Sequence, residues 1–119
     1  MHTRIMKVNG LAAIGLAGAC VLFMAIAANV QAEDSKIAAS TFAQRCSACH
    51  GADGSGATVM GKSANIPDLR SPQLLNQTDA DLEETIARGK GVMPAFGTSL
   101  SNDEIDGLVL YVRGLAKKH

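Results

Sequence analysis

Cys46-Ser47-Ala48-Cys49-His50 sets two thiols three positions apart, with an imidazole directly behind the second. Few patterns narrow the choice of fold as much, because each use of this one demands a different surrounding. A redox dithiol at this spacing needs a βα context, and the chain has no strand-like alternation. Half a zinc site needs a second Cys or His pair downstream, where only His119 at the chain end remains. The third use is covalent attachment of a c-type haem. Thiols at this spacing reach the two vinyl groups on one porphyrin edge, and His50 is delivered under the iron as an axial ligand.

The composition of the rest of the chain favours that third use. Residues 33–119 hold 21 large apolar side chains, no Trp, and only Phe42, Phe96 and Tyr111 as aromatics. A core this thin needs a staple in a domain of this size. Cys46 and Cys49 are the only cysteines there, so one internal disulfide at most is available and a large prosthetic group must fill the interior. The full chain carries 11 Lys+Arg against 11 Asp+Glu. It therefore lacks the basic surplus of a nucleic-acid binder, and its 119 residues leave room for one domain.

The first 32 residues stand apart, 22 of them being apolar. Arg4 and Lys7 precede an uncharged run from Leu11 to Ala28, and Val30-Gln31-Ala32 ends just before the polar Glu33-Asp34-Ser35-Lys36. This is the layout of a secretory signal peptide over residues 1–32, cleaved after Ala32. It implies an exported, periplasmic domain over residues 33–119. The rival is an uncleaved membrane anchor, since eighteen helical residues span about 27 Å; Gly15 and Gly18 inside the run favour cleavage. Cys20 follows a poor lipobox and reads as apolar filler that leaves with the signal.

Periodicity predicts an all-α domain of three helices. The first covers roughly residues 35–46, with Ser35 as cap and Ile37, Thr41 and Phe42 at helical spacing. Residues 51–71, with Gly51, Gly54, Gly56 and Gly61, read as one long functional loop. The second helix runs about 78–88: Thr78 caps it, acidic residues crowd its first turns, Arg88 closes it and Gly89 stops it. The third opens on the capping box Ser101-Asn102-Asp103-Glu104, with Leu100 stapled to Ile105. Ile105, Leu108, Val109, Val112 and Leu115 then form one apolar stripe, and Lys117, Lys118 and His119 close the helix at its negative end.

A second axial ligand to iron has two candidates in residues 33–119, Met60 and Met93. Met60 lies in the Gly-rich loop and reads as a residue at the cofactor's edge or partly in solvent. Met93 sits in Gly89-Lys90-Gly91-Val92-Met93-Pro94-Ala95-Phe96-Gly97, where glycines allow close backbone approach and Pro94 stiffens the chain. The loop favours Met93.

Phe42 ahead of Cys46-Ser47-Ala48-Cys49-His50-Gly51, then Pro67-Asp68-Leu69, the Met93 segment and a last helix with Leu108 and Tyr111 together resemble the class I monohaem c-type cytochromes. The likeness covers residues 35–118 and is greatest for the small soluble bacterial and photosynthetic members, although a Trp that some of these carry near the C-terminus is absent. It implies helices wrapped on one haem c, with the first and last crossing near Ala38/Phe42 and Leu108/Tyr111. It also implies that the Pro67 carbonyl accepts the second ring N–H of His50 and that Leu69 packs on the haem face. Leu69, Val92, Phe96 and Leu108 would then surround the iron.

With His50 and Met93 both on the metal, no site is open to a small-molecule substrate. The implied function is a soluble one-electron shuttle between redox proteins, with a comparatively high potential, and not an enzyme. The rival readings are a tethered or complex-bound cytochrome subunit of a dehydrogenase or oxidase, and a haem peroxidase or gas-binding protein with a weak Met93 bond. Lys62, Arg88 and Lys90 read either as a basic ring steering an acidic partner or as ordinary solvated charge.

Overall fold

Six helices follow one another from residue 31 in the computed structural model, which describes residue 24 and residues 31–117. The chain divides into two compact units, Met1–Ala32 and Glu33–His119, and the helical fold is that of the second. The segment read as an export signal, Cys20 included, lies outside the described residues apart from residues 24, 31 and 32, and so do Lys118 and His119. The helices are α1 (residues 31–45), α2 (Ser47–His50), α3 (Val59–Ser63), α4 (Pro72–Leu75), α5 (Asp79–Arg88) and α6 (Asn102–Ala116). Among the described residues no strand forms, and no helix is long and apolar enough to cross a membrane.

The all-α expectation holds, with α1, α5 and α6 as its three long helices. Two details of α1 differ from the sequence reading. The helix is already under way at residue 31, so Ser35 stands inside it and caps nothing. Its inward face is Ala38 and Phe42, while Ile37 stays 45% exposed. The reason is the close crossing with α6: a Cβ on Gly107 would stand 3.6 Å from that of Ala38, so small residues meet there and the bulkier Ile37 turns outward. The crossing itself lies where the family resemblance put it. The Phe42 and Tyr111 rings sit 5.0 Å apart, tilted by 43°.

Helix α6 carries the core. Ile105, Leu108, Val109, Val112 and Leu115 are all buried, and Leu100 joins Ile105 in one cluster with Phe42 and Leu69. Arg113 ties this helix to the start of α5. Its guanidinium pairs with Asp79 at 2.7 Å and donates to the carbonyls of Leu75 and Gln77 at 2.9 and 2.6 Å. The loop read as structureless contains α3, whose one buried residue is Gly61. A side chain there would collide with the carbonyls of Gly56 and Cys49, so Gly61 lets α3 lie directly on the backbone of α2.

The capping box read for α6 forms, and α5 opens on one as well. The Thr78 hydroxyl accepts from the Asp81 N–H while Asp81 accepts from the Thr78 N–H, and Ser101 and Glu104 do the same for α6. The bonds that these carboxylates accept hold them below their usual range: Asp81 chiefly by the Thr78 hydroxyl, Glu104 chiefly by the Ser101 backbone N–H. Thr78→Ala and Ser101→Ala are each expected to cost about 1 kcal/mol in a denaturant titration at neutral pH. The pH dependence has a definite sign. A carboxyl with a depressed folded-state pKa adds stability above its unfolded value and loses it as pH falls through the folded one. The cost of each substitution should therefore shrink in acid below about pH 4, and a cost that stayed constant down to that range would refute the capping account.

Candidate haem site

The turn that carries the cysteine motif begins where α1 ends. The Cys46 N–H donates to the Phe42 carbonyl at 2.9 Å, and the His50 N–H donates to the Cys46 carbonyl, also at 2.9 Å. The four-residue helix α2 thus continues the path of α1 after one break, and Gly51 ends it. Cys46 and Cys49 are both free and half-buried. Burial pushes the Cys46 thiol up, and the nearby Arg45 offsets this only in part. A catalytic dithiol needs the opposite shift, since the thiolate is the nucleophile. Burial also lowers the His50 pKa, which keeps the imidazole neutral at pH 7, the form that binds metals.

Beside this turn lies a cavity of about 440 Å³, within the range of cofactor sites. Phe42, Cys46 and His50 line one side, Pro67 and Leu69 another. Helix α5 contributes Leu82 and Ile86, and α6 contributes Leu108, Val109 and Val112. Met93 and Phe96 close it from the loop after α5. Of the two methionines, only Met93 reaches the cavity. Met60 on α3 is absent from its wall and 58% exposed. Cys49 is not part of the wall either; its carbonyl accepts the Thr58 hydroxyl at 3.0 Å. Val92 lines the cavity while remaining 70% exposed, so it sits at the rim.

One implied contact is not made. The His50 Nδ1 is buried and has no hydrogen-bond partner, so it does not donate to the Pro67 carbonyl. That carbonyl lies instead beside Gly56, 3.6 Å from where a Cβ there would stand. Leu69 is both a wall residue and a member of the buried cluster, and Phe96 packs against that cluster. Of the three basic residues, Lys90 lines the cavity, Lys62 is exposed outside its wall, and Arg88 pairs with Glu84 at 3.4 Å.

Asn65, Gln77 and Thr85 also line the cavity, and sequence reasoning missed all three. Thr85 could have been found from its place three residues after Leu82 on α5. Asn65 and Gln77 lie in connections with no periodicity to read.

The residues fit a porphyrin. Apolar side chains form most of the wall, a free thiol stands at its edge, and an unpaired imidazole nitrogen is buried beside it. A helical shell around such a cavity, flanked by Cys-x-x-Cys-His, defines a c-type cytochrome. The family described as "Cytochrome C oxidase, cbb3-type, subunit III" matches residues 33–112. Cytochrome c6 of Bryopsis maxima is 34% identical over 79 residues, which are 66% of this chain and 89% of that protein. The Cbb3-type cytochrome c oxidase subunit FixP of Azorhizobium caulinodans is 40% identical over 81 residues, 67% of this chain, but the match spans only 27% of that longer protein. Among solved structures, the KustC0563 c-type cytochrome superposes with a TM-score of 0.60 at 28% identity, covering 65% of this chain and 94% of that one. The chain belongs to the cytochrome c family, in the branch that the cbb3-type subunit III pattern describes, and its cofactor is covalently attached haem c.

Proposed function

We propose that the protein is an exported, soluble one-electron carrier. Cys46 and Cys49 would hold the haem through two thioethers, and His50 and Met93 would bind its iron. The observation that carries this reading is that His50 and Met93 line one apolar cavity while Met60 stands outside it. When bound, haem c supplies the Fe(III)/Fe(II) couple. The part of the chain is to hold two neutral ligands in place, which favours the reduced state, and to keep water away with Leu69, Phe96 and Leu108. Pro67 helps to shape the wall. Residues 1–32 act as the signal peptide, removed after Ala32, and the domain over 33–119 works in the periplasm with a protein donor and a protein acceptor.

Redox titration of the purified protein tests this and should show a single one-electron step. Met93→Ala should abolish the thioether-to-ferric-iron absorption band, lower the potential and let the ferrous form bind carbon monoxide. Met60→Ala should leave all three unchanged. The reverse pattern would assign the ligand to the wrong loop.

A second reading is a cytochrome subunit of a larger oxidase, favoured by the match to FixP, of which this chain spans about a quarter. N-terminal sequencing of the exported protein separates the two. A mature chain that begins at Glu33 and purifies alone supports the carrier, whereas co-purification with oxidase subunits supports the second reading.

A further inference from the structure

The loop that carries Met93 is closed by backbone bonds at both its base and its tip. At its base, the N–H groups of Gly89, Phe96 and Gly97 donate to three successive carbonyls at the end of α5, those of Thr85, Ile86 and Ala87, at 2.9, 3.0 and 2.9 Å. These are carbonyls that a helix end would otherwise leave unpaired. Nearer the tip, Lys90 and Met93 exchange both of their backbone bonds, at 3.1 and 3.0 Å, around Gly91 and Val92.

Gly89 is the point where these two closures meet. Its φ of 74° and ψ of 168° lie in a region that is essentially glycine-only. A Cβ there would strike the Met93 carbonyl oxygen, and it would stand 2.8 Å from the Pro94 carbonyl carbon and 2.9 Å from the Ala95 nitrogen. The colliding oxygen is the one that accepts from the Lys90 N–H. Any side chain at 89 must therefore push the Met93 peptide outward and break the Lys90–Met93 pair. Gly91 offers a contrast within the same loop. It also has a positive φ, 59°, but a Cβ on it would meet nothing within 4 Å.

We propose that Gly89 is a positioning residue for the thioether of Met93: its missing side chain, beyond stopping α5, fixes how near the Met93 backbone lies to the helix end and so where its sulfur stands in the cavity. The inference rests on the reading of Met93 as axial ligand. Its test compares Gly89→Ala with Gly91→Ala in haem-loaded protein. Both substitutions strain a positive φ, so both should lower the denaturant midpoint. Only Gly89→Ala should lose the thioether-to-iron band, admit carbon monoxide to the ferrous form and speed exchange of the Met93 amide hydrogen.

If Gly89→Ala keeps the band and excludes carbon monoxide while merely unfolding more easily, Gly89 is only a helix stop and the proposal fails. Should Gly89→Ala not accumulate, Gly89→Asn takes its place: it puts the same Cβ against the Met93 carbonyl, with a short polar side chain that can hydrogen-bond the neighbouring backbone. If neither yields a helical haem protein, Gly89 is a folding requirement and the proposal is likewise overturned. Failure of the underlying reading looks different: Met93→Ala itself would then retain the band.

Discussion

Replacing Cys46 and Cys49 together by alanine is expected to yield a chain that loses its haem to acid–organic extraction and is largely unfolded without it. The cavity of about 440 Å³ lies against the buried cluster of Phe42, Leu69, Leu108 and Val112. Without haem the apolar walls of this space would face water and lose the stabilisation of burial, about 25 cal/mol per Å² of apolar surface. A whole domain is stable by only about 5–15 kcal/mol, so the shell should not stand alone. Collapse would recover part of this, but the walls come from α1, α5, α6 and two loops, so several elements would have to move together. Circular dichroism after extraction is the measurement. A helical, cooperatively unfolding double mutant without haem would show that the protein core suffices.

The parts of the fold that are legible in the sequence are those whose causes are local. Helices α5 and α6 announce themselves by their caps, Thr78 and Ser101, and α6 also by a capping box and an unbroken apolar stripe; each begins where its cap stands. Helix α1 lacks a local start signal at Ser35, and its inward face escapes periodicity because burial there follows the tight crossing at Ala38 and Gly107 rather than side-chain size. Helix α3 buries only Gly61 and exposes Val59 and Met60, so periodicity has nothing to detect. Helix α4 does carry a legible signal, Pro72 in its first turn behind Ser71, which a search for apolar stripes passes over.

The candidate site divides in the same way. Cys46 and His50 are fixed by a five-residue pattern, and Met93 by the glycines and proline around it; the cavity brings these three together. What the motif does not encode is the rest of the wall. Gln77 comes to the cavity on a turn whose carbonyls are held by Arg113, 36 residues later in the chain, and no local spacing registers such a contact. The glycine-rich run is legible as unusual but not as a seat for α3, because close packing of backbone against backbone is invisible until the partner is known.

Phe42→Ala is expected to cost about 3–5 kcal/mol, the range for truncating a buried aromatic. Phe42 is 2% exposed, stacks against Tyr111 at 5.0 Å, and lines the haem cavity as well. Its removal therefore opens space on two sides, toward α6 and toward the cofactor, and only three aromatics serve residues 33–119. Tyr111→Ala should cost less, since Tyr111 is only half-buried and takes no part in the cavity wall. The pair contact itself is worth about 0.5–1.5 kcal/mol beyond area burial, so the double mutant should fall short of the sum of the two singles by about that much. Denaturant titrations of the haem-loaded wild type, both singles and the double mutant measure all of these quantities. Costs below about 1 kcal/mol for Phe42→Ala, the size of a minor site, would mean that the cofactor alone holds α1 in place and that the crossing with α6 contributes little.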